Sequence, residues 1–292
     1  MRMSVVVAAF NSAESIQRCL SSLLPQMTDD DEVIVCTNLP ASSIEPLRSD
    51  DARVRWVAME RSTTIPLLRA EGARLSNADV VAFTEDHLFV DATWRQAMGR
   101  SFEEGRSVVG GPVEFSGPGS PFDRAMYLFD YAPFMSPVPA GPVSRLTAAN
   151  AAYRRSLLSE GLLRDGVYEV TLNSRLRSQG EILWLNPQAP VHHAKNYERT
   201  RSVSQMRHAG RSYASMRMRG RGALARAVYA LATPLLVFVL PGRILRLVLK
   251  RAGHVTQWLV CLPHLLVISV AWALGEFLGS LAGDGGSAAE WK

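Results

Sequence analysis

Three ionisable residues close an apolar run at Val80–Phe89, "VVAFTEDHLF". Glu85, Asp86 and His87 are costly to bury without partners. Two readings stay open on this stretch alone: a solvated turn, or a small site for a divalent cation. Carboxylates and imidazoles are both metal ligands. In extended chain Glu85 and His87 project to one side and Asp86 to the other. Further residues able to do chemistry are Arg69 in "PLLRAEGARLSNAD", Glu169 in "YEVTLNSRLRSQG", and the pair His192 and His193 in "PVHH".

These residues need elements to hold them. "SVVVAAF" is a short β-branched apolar run that reads as a buried strand. In the following "NSAESIQRCLSSLL", Asn11 and Glu14 have capping-box spacing. Ile16, Cys19, Leu20, Leu23 and Leu24 then repeat at helical intervals. "EVIVC" and "VRWVA" read as the second and third strands. A helix is predicted from about Pro66 to Ser76, with proline in its first turn. "DVVAF" is the strand that carries the acidic triplet. Strands and helices alternate through the first hundred residues, which predicts an α/β domain with a largely parallel sheet. Ligands of such sheets gather beyond the carboxyl ends of the strands. Ala9, Phe10 and Asn11 lie at one such end, and Glu85–His87 at another.

The middle is less regular. "VVGGPVEF" reads as a strand, and "SGPGSPFD" and "FMSPVPAGPVSR" as Gly/Pro-rich loops. Helices are expected near Ser156–Glu160 and Glu169–Gln179, and a strand at Glu181–Leu185.

Charge is unevenly spread over the 292 residues. Residues 1–198 carry 19 Lys or Arg against 24 Asp or Glu, whereas 199–223 carry seven Arg and no acid. This concentration beside an apolar tail points to an anionic membrane surface and away from nucleic acid. Cys19, Cys36 and Cys261 share no metal spacing and form no even set, which suits a reducing compartment. Met1-Arg2-Met3 runs straight into "SVVVAAF", which reads as a folded strand rather than a removable leader.

From Arg199 onward the pattern changes. Val203, Met206, Ala209, Gly210, Tyr213 and Met216 share one helical face, and Arg207, Arg211 and Arg217 fall away from it. Such a basic amphipathic helix suits a membrane interface, or packs on the rest of the protein. Ala227–Pro241 is uncharged but contains Pro234, and at 15 residues it falls short of the roughly 20 that a span needs. Ala252–Gly275 lacks Asp, Glu, Lys and Arg over 24 residues and is long enough to cross. Arg243, Arg246, Lys250 and Arg251 lie between the two, so the linker is expected on the cytoplasmic side. The first segment is then expected to dip into the interface, and the second to span or to pair with it as a shallow hairpin. Two buried helices of a soluble protein are the competing reading.

Four stretches together resemble a family 2 glycosyltransferase of the GT-A fold, over roughly residues 3–195. They are "SVVVAAFNSAESIQRCLSSLL", "ADVVAFTEDHLFVDATW", "AANAAYRR" and "YEVTLNSRLRSQGEILWLNPQAPVHH". The resemblance implies a Rossmann-like nucleotide-diphospho-sugar transferase domain at 1–198. The basic interfacial helix at 199–223 and hydrophobic membrane-associated helices at 224–292 follow it. A nucleotide-sugar donor would bind through Ala9, Phe10, Asn11, Thr37, Asn38, Arg69, Glu85 and Asp86. By family position Glu85 meets the ribose side and His87 the metal, and Asp86 is able to turn in. Mn²⁺ or Mg²⁺ would then offset charge on the departing diphosphate. Arg69 stands where a basic residue lies near that diphosphate, and Phe10 where a ring stacks on the base. Trp94 and Asn150 fall on the acceptor side. Glu169, as the second residue of the family's acidic pair, is the implied base that deprotonates the acceptor hydroxyl, with inversion at the anomeric carbon. His192 and His193 are candidate contacts to phosphate or metal.

The chain departs from the family pattern at several places. His87 replaces an acid, Cys36-Thr37-Asn38 stand where an Asp is usual, and Tyr168 replaces the first acid of the pair. Gln205-Met206-Arg207-His208-Ala209 lacks the Arg-Trp of processive members, which implies single transfers. A saccharide or lipid-linked acceptor is expected, at the cytoplasmic face of the cell membrane. A catalytically degenerate membrane binding or assembly subunit is the alternative. A nicotinamide enzyme is disfavoured by the missing G-x-G-x-x-G after the first strand.

Overall fold

The computed structural model describes residues 1–48, 51–251 and 255–290. In chain order the first part is β1 (Met3–Ala9), α1 (Ala13–Leu23), β2 (Glu32–Thr37), α2 (Ala41–Ile44), β3 (Val54–Ala58), α3 (Ile65–Leu75) and β4 (Val80–Glu85). β5 (Leu88–Val90), α4 (Trp94–Glu103), β6 (Val108–Gly110), β7 (Val113–Phe115) and α5 (Pro121–Tyr131) come next. Then follow β8 (Gly141–Val143), β9 (Ala151–Arg154), α6 (Glu160–Leu163), α7 (Glu169–Ser178), β10 (Leu183–Leu185) and β11 (Val191–His193). Among the described residues the chain closes with α8 (Arg199–Met218), α9 (Ala223–Ala232), α10 (Leu236–Leu249), α11 (Val255–Ala282) and α12 (Ser287–Glu290).

Two compact units result, one of Met1–Ser116 with Phe134–Ala194, the other of Gly117–Pro133 with Lys195–Lys292. The first is built on an eight-stranded sheet ordered β3-β2-β1-β4-β9-β6-β10-β8. β3, β2, β1 and β4 run parallel, and β9 runs antiparallel between β4 and β6. Every residue of β1 and β4 is buried, so both sheet faces are covered at the centre. That is why these strands read as unbroken apolar runs. A second sheet, β5-β11-β7, sits beyond β4.

Two helices set the positions of the chemistry. α1 buries Ile16, Cys19, Leu20 and Leu23, the spacing expected from sequence. Its cap differs from expectation: Ser12, not Asn11, receives the Ser15 amide, and the Ser15 side chain returns the bond. This frees Asn11 for other work. α3 lies close on the sheet at Gly72, where a Cβ would stand 2.3 Å from a Val6 methyl and 3.2 Å from Cys36 Sγ.

In the second unit, α5 starts at Pro121 in a stretch expected to be loop. Ser120 accepts from the Asp123 amide and Asp123 accepts from the Ser120 amide, a reciprocal cap. α8 turns Met206, Ala209 and Gly210 inward onto α11, so its apolar face packs on protein rather than facing outward. α10 continues through Pro241 and Gly242 to Leu249, past the expected end of the first apolar segment. Ala223–Leu249 and Val255–Ala282 are each long and apolar enough to cross a membrane. The first three residues of the expected segment Ala252–Gly275 lie outside the described residues.

Candidate active site

The parallel register places Ala8 beside Glu85, so the carboxyl ends of β1 and β4 meet. Asp86, just past β4, is fully enclosed. Its carboxylate accepts bonds from the Phe10 amide at 3.2 Å, the Asn11 amide at 2.8 Å, Asn11 Nδ2 at 2.6 Å and Ser15 Oγ at 3.1 Å. Burial opposes its ionisation, but the neighbouring His87 imidazole and the Asn11 bonds outweigh it and hold its pKa below the usual carboxylate value. Asp86 therefore fastens the loop after β1 to β4. Its oxygens are spoken for, so it does not face a donor or an ion as the sequence led one to expect. Ser15, which shares this role, was not anticipated; its helical spacing from Ser12 was the available signal.

Glu85 and His87 project together, as alternation in extended chain requires. His87 Nδ1 lies 3.5 Å from Glu85 Oε2 and 3.3 Å from Asn11 Nδ2. The His193 ring stands edge-on to His87 at 5.0 Å between centroids. It is delivered there by β11, which pairs with β5 at His193 and Leu88. His192 points the other way, stacked on Phe89 and 3.9 Å from Asp91.

Arg69 is buried on α3. Its guanidinium pairs with Glu85 and reaches Glu169 Oε2 at 3.4 Å, across a hundred residues of chain. It also lies 3.5 Å from the Val167 carbonyl. The sequence expectation placed Arg69 on a diphosphate; in the fold it joins two carboxylates. Glu169 opens α7, where the helix dipole favours an acid. Its side chain is 27% exposed, the one member of this chain of charges open to solvent.

Among the other expected residues, Ala9, Thr37, Asn38, Trp94 and Asn150 are buried and support the site without facing it. Thr37 is fully buried and its hydroxyl caps the Leu39 amide, while Asn38 Nδ2 donates to the Thr63 carbonyl. Ala9 lies within buried β1. Phe10 is half-buried, packed on the core and edge-on to His87. Trp94 and Asn150, expected on the acceptor side, are wholly enclosed. Trp94 Nε1 donates to Asn150 Oδ1, and Asn150 Nδ2 donates to the Pro112 and Ala189 carbonyls. All their polar groups are satisfied internally, so they brace α4 against the β10–β11 loop rather than touch an acceptor. A separate open groove of about 430 Å³, lined by Asp91, Gln96, Arg100 and Gln188 among others, contains none of the site residues.

Among the described residues no three His, Cys, Asp or Glu side chains converge to hold a metal ion. The triplet supplies two groups, Glu85 Oε2 and the His87 imidazole, because Asp86 is turned into the loop. Two ligands fit an ion that takes its remaining oxygens from a diphosphate and water. They do not form a protein cage.

The family model described as Glycosyl transferase family 2 matches residues 4–162. No curated protein matches the chain. Among solved structures, the chain is similar to the crystal structure of GalNAc-T7 with UDP, GalNAc and Mn²⁺, at 12% identity and a TM-score of 0.51. That likeness covers 68% of this chain but only 44% of the other, so the chain spans less than half of that structure, and at such identity it speaks to the fold alone. With the family model covering more than half of the sequence, and an α/β sheet of GT-A type carrying acids and an arginine at its carboxyl edge, the chain belongs to glycosyl transferase family 2.

Proposed function

We propose an inverting, non-processive transfer of one sugar from a nucleotide-diphosphate donor to an acceptor hydroxyl, with residues 1–198 as the catalytic part. The observation that carries this reading is the Glu85–Arg69–Glu169 connection at the carboxyl edge of β1 and β4. It puts a donor-side acid and a candidate base on one guanidinium. The donor lies over Phe10, Asn11 and Glu85. Glu85 and His87 would hold the divalent cation, Mn²⁺ or Mg²⁺, which when bound offsets charge on the leaving diphosphate.

Glu169 removes the acceptor proton as the acceptor oxygen attacks the anomeric carbon opposite the diphosphate. Its pairing with Arg69 orients the carboxylate for that task. Buried Asp86 holds Asn11 and His87 in place, and enclosed His193 backs the His87 ring. The two apolar C-terminal helices support action at a membrane, with the catalytic part on the cytoplasmic face and a lipid-linked saccharide as acceptor.

Thermal-shift titration with UDP-, GDP- and dTDP-sugars, with and without Mn²⁺, tests the donor half. One donor is expected to stabilise the protein in a cation-dependent way, and Glu85→Gln with His87→Ala to remove the cation dependence. Stabilisation by no nucleotide-sugar would sink the reading. Glu169→Gln tests the catalytic half: donor stabilisation persists and transfer is lost.

A further inference from the structure

We infer that α9, α10 and α11 form a monotopic anchor, lying in one leaflet of an anionic bilayer without crossing it. This rests on the membrane reading above and adds depth and lipid chemistry to it. Exposed Val260, Val267, Val270, Leu274, Phe277 and Leu281 recur at intervals of three, four or seven residues along α11, on one helical face. They form one stripe roughly 30 Å long at the helical rise per residue. The other face of α11 is covered by protein. Gly275 and Gly279 press against α8, where a Cβ would stand 2.0 Å from the Arg207 carbonyl oxygen and 2.1 Å from that of Arg211. Phe122 and Phe129 of α5 meet His264 and Trp272.

The company that α11 keeps decides its depth. α8 carries Arg199, Arg201, Arg207, Arg211 and Arg217 with no acid. If α11 crossed the bilayer, α8 and the charged residues of α5 would be drawn into hydrocarbon beside it, where each arginine is costly. Laid flat, the stripe and the outer side of α9 and α10 enter the lipid, and α8 stays on the aqueous side. Leu224, Val228, Leu231, Leu235 and Phe238 supply that outer side. Between Glu198 and Glu276 the sequence has twelve Arg or Lys and no acid. Arg221, Arg243, Arg246 and Lys250 are exposed alongside the apolar helices, placed for anionic headgroups. Glu276 is turned inward and held by Arg217, Tyr229 and Trp272.

The test uses the full-length chain. Lys250→Cys and Glu290→Cys flank α11 on its two sides, and both variants are labelled with a membrane-impermeant maleimide in sealed vesicles of each orientation from expressing cells. The anchor predicts that both sites react from the same side. Reaction from opposite sides overturns it while leaving membrane association standing. Purified protein is also floated with vesicles of phosphatidylcholine, alone or mixed with phosphatidylserine. Binding is expected to rise with phosphatidylserine, and Val267→Lys with Leu274→Lys to lower it at least about tenfold without changing the melting temperature. No flotation on either vesicle overturns both this inference and the membrane reading.

Discussion

Glu85 and Glu276 are both buried glutamates paired with an arginine, one in each unit, and their surroundings differ in one respect. Around Glu276 every bond is closed. Arg217 Nη1 donates at 2.8 Å, Trp272 Nε1 at 2.8 Å, and the Tyr229 hydroxyl completes the set. Around Glu85 the arginine is shared. Arg69 passes on to Glu169, which is partly open to solvent, and the second Glu85 oxygen looks toward His87. A closed set of bonds holds helices together, whereas an open-ended one leaves a carboxylate and an imidazole able to take a further partner. The pairwise chemistry is the same; what remains unfilled separates structure from function.

The largest effect that separates the two clusters is expected at the open end. Glu169→Gln should lower transfer by about 10²–10⁴-fold while donor binding, read by calorimetry, stays unchanged; any comparable change at Glu276 should leave turnover per folded molecule intact. Next comes removal of each arginine. Arg69→Met strands a buried carboxylate and is expected to cost about 3–5 kcal/mol in urea unfolding. Arg217 is 48% exposed, and Glu276 keeps two other donors, so Arg217→Met should cost no more than about 1 kcal/mol. Equal losses would erase the distinction.

A smaller effect is expected from Trp272→Phe, which removes one donor from Glu276. The predicted loss is about 1–3 kcal/mol, with cation-dependent donor binding unaltered. The smallest concerns acid. The pKa of Asp86 is depressed in the fold, so it contributes stability that is fully present above its unfolded pKa, about 3.9. That contribution is lost as pH falls through the lower folded value. Melting curves over this acid range should show Asp86→Asn losing less stability than the parent chain on acidification. A parallel decline of the two would assign the acid sensitivity elsewhere.

Much of the first unit was legible because its central strands are buried on both faces. β1, β2, β3 and β4 announce themselves as apolar runs, and α1 and α3 by their spacing and caps. The three- and four-residue strands β5, β8 and β9 were not, since so short a segment has no period to read and is defined by its partners; the run Val108–Phe115, read as one strand, is two, β6 and β7, in different sheets. α5 was hidden inside a Gly/Pro-rich stretch, although Ser120, Pro121 and Asp123 spell a helix start. α4, equally overlooked, begins at Trp94 behind a loop capped by Asp91. The site divides along the same line. That chemistry would gather at Asn11 and at Glu85–His87 follows from strand ends. That Asp86 turns inward, that Trp94 and Asn150 are bracing, and that Arg69 bridges to Glu169 depend on contacts between residues far apart in the chain. No local pattern encodes those.

Gly72 gives the bridge its dimensions. Three residues beyond Arg69 on α3, it lets the helix rest directly on Val6 and Cys36. Even a single methyl at this place would act as a shim under the helix, lifting it from the sheet with the guanidinium aboard. The gap between two carboxylates far apart in the chain is thus gauged by an atom the chain omits.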